Sequence, residues 1–239
     1  MERYMDFEYE KINSEIKIEK YYGSAKSVNI PSQIENLPVT EIGAYAFSDC
    51  NSLTSANIPD SVKGLGFSAF ERCKSLTEIS IPNSVMEIGM CAFSDCISLK
   101  SIALPKSLKE ISIGVFSGCS SLTNINIPNS VTVINLSAFE ECKSLKKIVI
   151  PDSVTYIGQC AFFRCSSLTS VTISNSLTKI DTWVFKECSS LANVIIPDSV
   201  TEIEWGAFAN CSSLKNITIP NSAIKIDSEA FWNCNALIR

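Results

Sequence analysis

The stretch PNSVTVINLSAFEECKSLKKIVI, residues 128–150, carries a complete structural plan. In its tail Leu145, Ile148 and Ile150 point one way and Lys147 and Val149 the other, the pattern of a short strand with one buried face. Pro151 then stops the ladder, because proline has no N–H to donate. PNS makes a turn, and VTVI is a second short extended piece with Val131 and Ile134 inward. SAFEEC predicts a single helical turn with Ser137 as its N-cap. Phe139 and Cys142, three residues apart, would then share one helical face.

This plan recurs every 23 residues. Phenylalanine falls at 47, 70, 93, 116, 139, 162, 185, 208 and 231, and cysteine three residues after each, from Cys50 to Cys234. A leucine follows each cysteine by three, from Leu53 to Leu237. Prolines occupy the same grid from Pro59 to Pro220, with Ser174 standing in once. A fixed period of this length marks a solenoid, in which each rung packs only on its neighbours. Stacked in register, the strands form a parallel sheet with rungs about 4.8 Å apart, so nine rungs make a rod on the order of 40 Å long.

Composition narrows the function classes. The 239 residues carry 20 basic and 25 acidic side chains and a net charge of −5. The basic residues are scattered, which argues against a nucleic-acid partner. No run of 18 apolar residues exists, so no membrane insertion is expected. The start, MERYMDFEYEK, has no apolar signal segment: the chain reads as cytoplasmic, or as a surface protein whose export signal has been removed. There is no histidine, hence no histidine-dependent catalysis or metal site, and no glycine-rich phosphate loop. An enzyme is not expected, nor a cofactor.

The pattern LxxIxIPxSVxxIxxxAFxxCxS, over residues 30–239, resembles the 23-residue leucine-rich repeats of the BspA-like (Treponema-type) family. The resemblance implies an α/β solenoid: a curved rod with its parallel sheet on the concave face and short helical turns. It also implies binding of other proteins, in some bacterial members as adhesins.

The cysteine ladder reads as packing, since a thiol is a small, often buried apolar group. In-register side chains run parallel, which leaves neighbouring Cβ atoms too far apart for a disulfide. Zinc needs CxxC pairs or histidines, and neither is present. Cys91 and Cys160 lie off the ladder, in the slot before AF, and are the expected reactive thiols.

At the N-terminus, FEYEKINSEIKIEKYYG (7–23) alternates around KINS and predicts a hairpin capping the first rung. The division expected is a capping hairpin over 1–29 and a solenoid over 30–239. QIENL makes the first repeat five residues longer than the others. The C-terminus stops inside the ninth repeat without a similar cap, so either the protein continues or a partner covers that end.

Equivalent positions stack into columns, and columns are the surfaces on which to look for binding. The outward strand columns are small and polar. A different column, two residues past the second inward isoleucine or leucine, carries Phe67, Met90, Ile113 and Leu136 on four successive rungs, and later Trp205. Met86, Val133 and Tyr156 sit on neighbouring outward slots. If exposed, these eight residues form a contact stripe for a protein ligand. If the slot leans inward, they are core, although Gln159, Thr182 and Ser228 occupy the same column. The sequence thus points to a non-catalytic protein-binding scaffold. The alternative is a structural rod that self-associates through the stripe or the uncapped end.

Overall fold

The computed structural model describes residues 1–237. The chain opens with an antiparallel meander of β1 (Glu2–Tyr4), β2 (Phe7–Ile12) and β3 (Glu15–Tyr21). β1 adds a strand that the alternation pattern did not reveal. Asn13 and Ser14 turn the hairpin with positive φ, as a tight two-residue connection requires. Short strands follow in chain order: β4 (Ser27–Asn29), β5 (Gln33–Ile34), β6 (Leu37–Ile42), β7 (Ser55–Asn57), β8 (Gly64–Leu65), β9 (Glu78–Ser80), β10 (Glu87–Ile88), β11 (Glu110–Ile111), β12 (Val133–Ile134), β13 (Lys147–Val149), β14 (Tyr156–Ile157), β15 (Ser170–Thr172), β16 (Lys179–Ile180), β17 (Asn193–Ile195), β18 (Glu202–Ile203), β19 (Asn216–Thr218) and β20 (Lys225–Ile226).

These strands stack as two parallel ladders about the repeat axis, one from the IxIP segments and one from the VxxI segments. Register advances by one 23-residue repeat, as in Val133↔Tyr156 and Lys147↔Ser170. β3 pairs parallel with β6 and joins the meander to the first rung. The five extra residues of the first repeat form the β5–β6 hairpin, with Glu35 and Asn36 at its tip.

The inward positions behave as the repeat predicts. Val131, Ile134, Phe139, Cys142, Leu145, Ile148 and Ile150 are all buried. The phenylalanines form one continuous stack from Phe47 to Phe231, with ring centroids 4.7–5.8 Å apart and nearly parallel planes. Tyr21 extends it into the meander at 5.1 Å from Phe47.

The helical turn expected at SAFEEC does not form, and no helix occurs among the described residues. Ser137 (φ 53°) and Glu141 (φ 56°) are left-handed, so Ser137 is not an N-cap. The amides alternate in their use. Those of Ala138, Glu140 and Cys142 donate three residues back, to Asn135, Ser137 and Phe139. Those of Ser137, Phe139 and Glu141 donate to Gln159, Ala161 and Phe163 of the next rung. A helix spends every amide inside itself; this segment spends half of them on its neighbour, which ties the turns of successive rungs together.

Side chains add two more vertical ladders. Ser130 Oγ donates to the Leu108 carbonyl at 2.7 Å, and Ser84, Ser107, Ser153, Ser199 and Ser222 repeat that bond, as Ser153 does to Val131. Cys142 Sγ donates to the Phe116 carbonyl at 3.2 Å, and every ladder thiol from Cys73 to Cys234, Cys91 and Cys160 lying off the ladder, bonds the phenylalanine carbonyl of the preceding rung in the same way.

The strand ladders are less continuous than the turns. The VxxI ladder is unpaired between β10 and β11 and between β14 and β16; the IxIP ladder is unpaired from β9 to β13, where 101–103 and 124–126 form no strand, and between β15 and β17. Both interruptions of the VxxI ladder fall where a glycine is followed, one rung on, by a residue with a side chain: Gly89 by Ser112, and Gly158 by Asp181. A Cβ at Gly158 would lie 2.6 Å from the Leu136 nitrogen of the preceding rung, so close strand stacking there depends on its absence. Ser112 carries such a Cβ, and its hydroxyl, not its amide, bonds the Ile88 carbonyl. Turn bonds, Cys91 N to Ile113 O and Phe93 N to Val115 O among them, continue across the first interruption.

Candidate protein-interaction surface

The stripe lies at the surface. Phe67, Met90, Ile113 and Leu136 are 39, 46, 38 and 44% exposed, as Gln159 and Ser228 of the same column are also exposed. Positioning follows from the turn: each of the four comes immediately before a left-handed residue (Ser68, Cys91, Gly114, Ser137) and two residues after a buried inward one (Leu65, Ile88, Ile111, Ile134). That kink turns the side chain away from the core. The core reading of this column is therefore set aside.

Four of the eight expected residues meet around one groove. Phe67, Met86, Met90 and Val133, with Leu108, line a cleft of about 790 Å³ whose floor holds Leu65 and Ile88. The cleft spans the interruption between β10 and β11, where the open ladder separates the two strand edges. Ring spacing in the phenylalanine stack is widest at the same level, 5.8 Å between Phe93 and Phe116. Glu87, Lys109 and Glu110 form its charged rim. Ile113 and Leu136 continue the column beyond the groove. Tyr156 is exposed beside Val133, its partner in the β12–β14 pair. Trp205 stands apart, in a second pocket near the last rungs.

The thiols divide by burial: Cys91 and Cys160, with Cys50 and Cys234 at the ends of the ladder, are half-buried, and the other ladder thiols are enclosed. Burial raises the Cys91 and Cys160 thiols above their ordinary range, which disfavours the nucleophilic thiolate. On the ladder, Cys50 is pushed up to about 11 by burial, and burial also raises the fully enclosed Cys142 and Cys188 well above the ordinary thiol range. All eleven cysteines are free.

Sequence reasoning missed the N-terminal polar clasp. Tyr9 hydroxyl donates to Glu35 Oε1 at 2.6 Å, and Lys11 Nζ lies 2.8 Å from both Glu2 and Glu35. The Lys11 ammonium, followed by the Tyr9 hydroxyl, holds both carboxyls below their usual range. The clasp links the meander to the β5–β6 hairpin, and the five-residue lengthening of the first repeat was its only trace in the sequence. No helix among the described residues is long and apolar enough to cross a membrane.

Comparison with known proteins gives a consistent picture. The family described as BspA type leucine rich repeat region matches in six copies, over residues 40–162 and 113–238. Among solved structures, a leucine-rich repeat protein of Treponema pallidum is 30% identical over 89% of this chain and 90% of its own, with a TM-score of 0.62. The pneumococcal vaccine antigen PcpA shares the fold at 20% identity and a TM-score of 0.66, over 91% of this chain and 69% of its own. A leucine-rich repeat protein of Eubacterium ventriosum does so at 18% identity and a TM-score of 0.55, over 94% and 85%. Among curated proteins nothing matches. Scaffolds of this kind are generally protein-interaction modules and typically non-enzymatic. The repeat, the buried phenylalanine and cysteine columns and these matches make the chain a member of the BspA-type leucine-rich repeat family.

Proposed function

We propose that this chain is a non-catalytic, adhesin-like scaffold that binds a protein ligand through the apolar stripe and its groove, with residues 1–29 capping a solenoid formed by 30–239, of which 238–239 lie outside the described residues. One observation carries the reading: large apolar side chains occupy solvent-facing slots on four successive rungs, where the fold also accepts Gln159 and Ser228. Burying each such side chain contributes about 1.5–3 kcal/mol, so the stripe can dominate an interface. The outward column of the IxIP strands, from Ser55 to Asn216, offers mainly serine and asparagine, which supply hydrogen bonds but little desolvation energy.

The test uses the double variant Met90→Asp, Ile113→Asp. Proteins captured by the wild-type rod from cell-surface extracts should be lost with the variant, whose melting temperature should stay near that of the wild type. Retained capture by the folded variant moves the contact elsewhere, and an unfolded variant returns the column to the core. Light scattering over a concentration range tests the self-associating alternative. A monomer at every concentration excludes it; a wild-type dimer that the double variant dissolves makes a second copy the partner.

A further inference from the structure

All three tryptophans of the chain, Trp183, Trp205 and Trp232, line one pocket of about 340 Å³ near the last rungs, together with Lys186, Gly206 and Glu229. The repeat does not require them. The slot of Trp183 holds Tyr45, Ser68, Gly114 or Ser137 in other rungs, that of Trp205 holds Ala44 or Gln159 as well as the aliphatic and Phe67 side chains of the stripe, and that of Trp232 holds Ser48 or Ser94. Three different columns therefore carry tryptophan only where the rings can meet. Trp205 and Trp232 are 45 and 59% exposed, and Trp183 packs on Trp205 with centroids 5.1 Å apart.

Trp183 has φ 59°, the left-handed conformation that this slot takes on the other rungs, from Tyr45 to Cys160. Gly206 makes room for it: a Cβ there would lie 2.7 Å from Trp183 Cδ1. The indole N–H of Trp205 donates to Glu229 Oε2 at 2.6 Å, which orients the carboxylate and leaves its second oxygen able to accept. Lys186 Nζ lies 4.3 Å from the Trp183 ring centroid.

We propose that this pocket binds a pyranose sugar, free or as one unit of a glycan. The apolar C–H face of a pyranose ring stacks on an indole, and its equatorial hydroxyls reach charged groups at the ring's edge. Here Glu229 is the acceptor and Lys186 the donor. The volume lies near the lower end of the range for small-molecule sites and suits one or two sugar rings. Aromatic clusters also bind quaternary ammonium ions. In this pocket the cation seat over Trp183 is already filled by Lys186, and a second cation would face that charge. The pocket shares the column of Trp205 with the apolar stripe but lies at later rungs, and its occupancy does not depend on the protein-binding reading.

Because the pocket holds every tryptophan of the chain, intrinsic fluorescence reports on it alone. The full chain is titrated with the methyl β-glycosides of glucose, galactose and N-acetylglucosamine, with cellotetraose and chitotetraose, and with choline. A saturable change with at least one glycoside or oligosaccharide, confirmed by calorimetry, is expected. Binding of the monosaccharide glycoside identifies a single-ring site. Binding of the tetrasaccharides at least tenfold more tightly identifies a glycan chain as the source. Trp232→Ala and Glu229→Gln should each weaken the interaction at least tenfold while leaving the melting temperature unchanged. Saturation by choline without any sugar overturns the proposal, as does no saturable change with any of the probes, or sugar binding that survives both substitutions.

Discussion

The thiol of Cys142 donates to the backbone carbonyl of Phe116, 3.2 Å away on the preceding rung. The same carbonyl accepts the Cys119 amide at 3.1 Å. Each phenylalanine carbonyl in this column thus closes its own turn and receives the next rung's sulfur. The cysteine is there for a donated proton as well as for its size. Substitution separates the two roles. Cys142→Ser keeps a donor and should cost less stability than Cys142→Ala, by about 1 kcal/mol, the net worth of one hydrogen bond. Denaturant unfolding measures both. If the alanine variant is the more stable, the ladder is apolar packing only.

Stacked rings and enclosed thiols predict a further pair of results. Phe139 is fully buried between Phe116 and Phe162, at 5.5 and 5.2 Å. Phe139→Ala should cost about 3–5 kcal/mol, as large core truncations do. A thiol reagent at neutral pH should label Cys91 and Cys160 slowly and the buried Cys119 and Cys142 only after denaturant is added. Rapid native labelling of Cys119 would contradict the packing described.

Glycine spacing gives a sharper test. A Cβ at Gly158 meets backbone at 2.6 Å, whereas one at Gly64 meets nothing within 4 Å. Gly158→Ala should cost about 1–3 kcal/mol, in the range of overpacking. Gly64→Ala should be neutral within about 0.5 kcal/mol, as ordinary surface changes are. Equal effects at the two positions would show that the tight stacking of strands is not what glycine serves.

The N-terminal clasp has a pH signature. Glu2 and Glu35 titrate lower in the folded chain than the ordinary carboxylate value of 4.5, because Lys11 and Tyr9 bond their charged forms. Their contribution is complete above that value and is lost as pH falls through the lowered folded values. Thermal unfolding should therefore become easier with acidification below about pH 4.5, and Lys11→Met should flatten that dependence. Salt should shrink the difference between the two proteins, since both carboxylates are exposed. An unchanged acid profile in Lys11→Met would remove the clasp from the stability of this end.

The period of 23 and the residues along it settled the rung, the buried columns and the family, and the two strands of most repeats, though 101–103 and 124–126 form none. Those properties are local or strictly repeated, and each rung supplies the same apolar pattern to its neighbours. The stripe was also legible as a column, but not its exposure. Periodicity places Phe139 and Cys142 on one face whether the segment is a helix or a chain of left-handed turns. Ser137 and Glu141 carry no glycine to announce a positive φ. Trp183, Trp205 and Trp232 are 22 and 27 residues apart, off the period and in separate columns. Only the tertiary structure, by setting the angle at which each turn presents its slots to the next rung, brings them to one pocket. It likewise decided where the ladder opens, because whether Ser112 can stack closely on Gly89 depends on the space between rungs, and that space is a property of the stack.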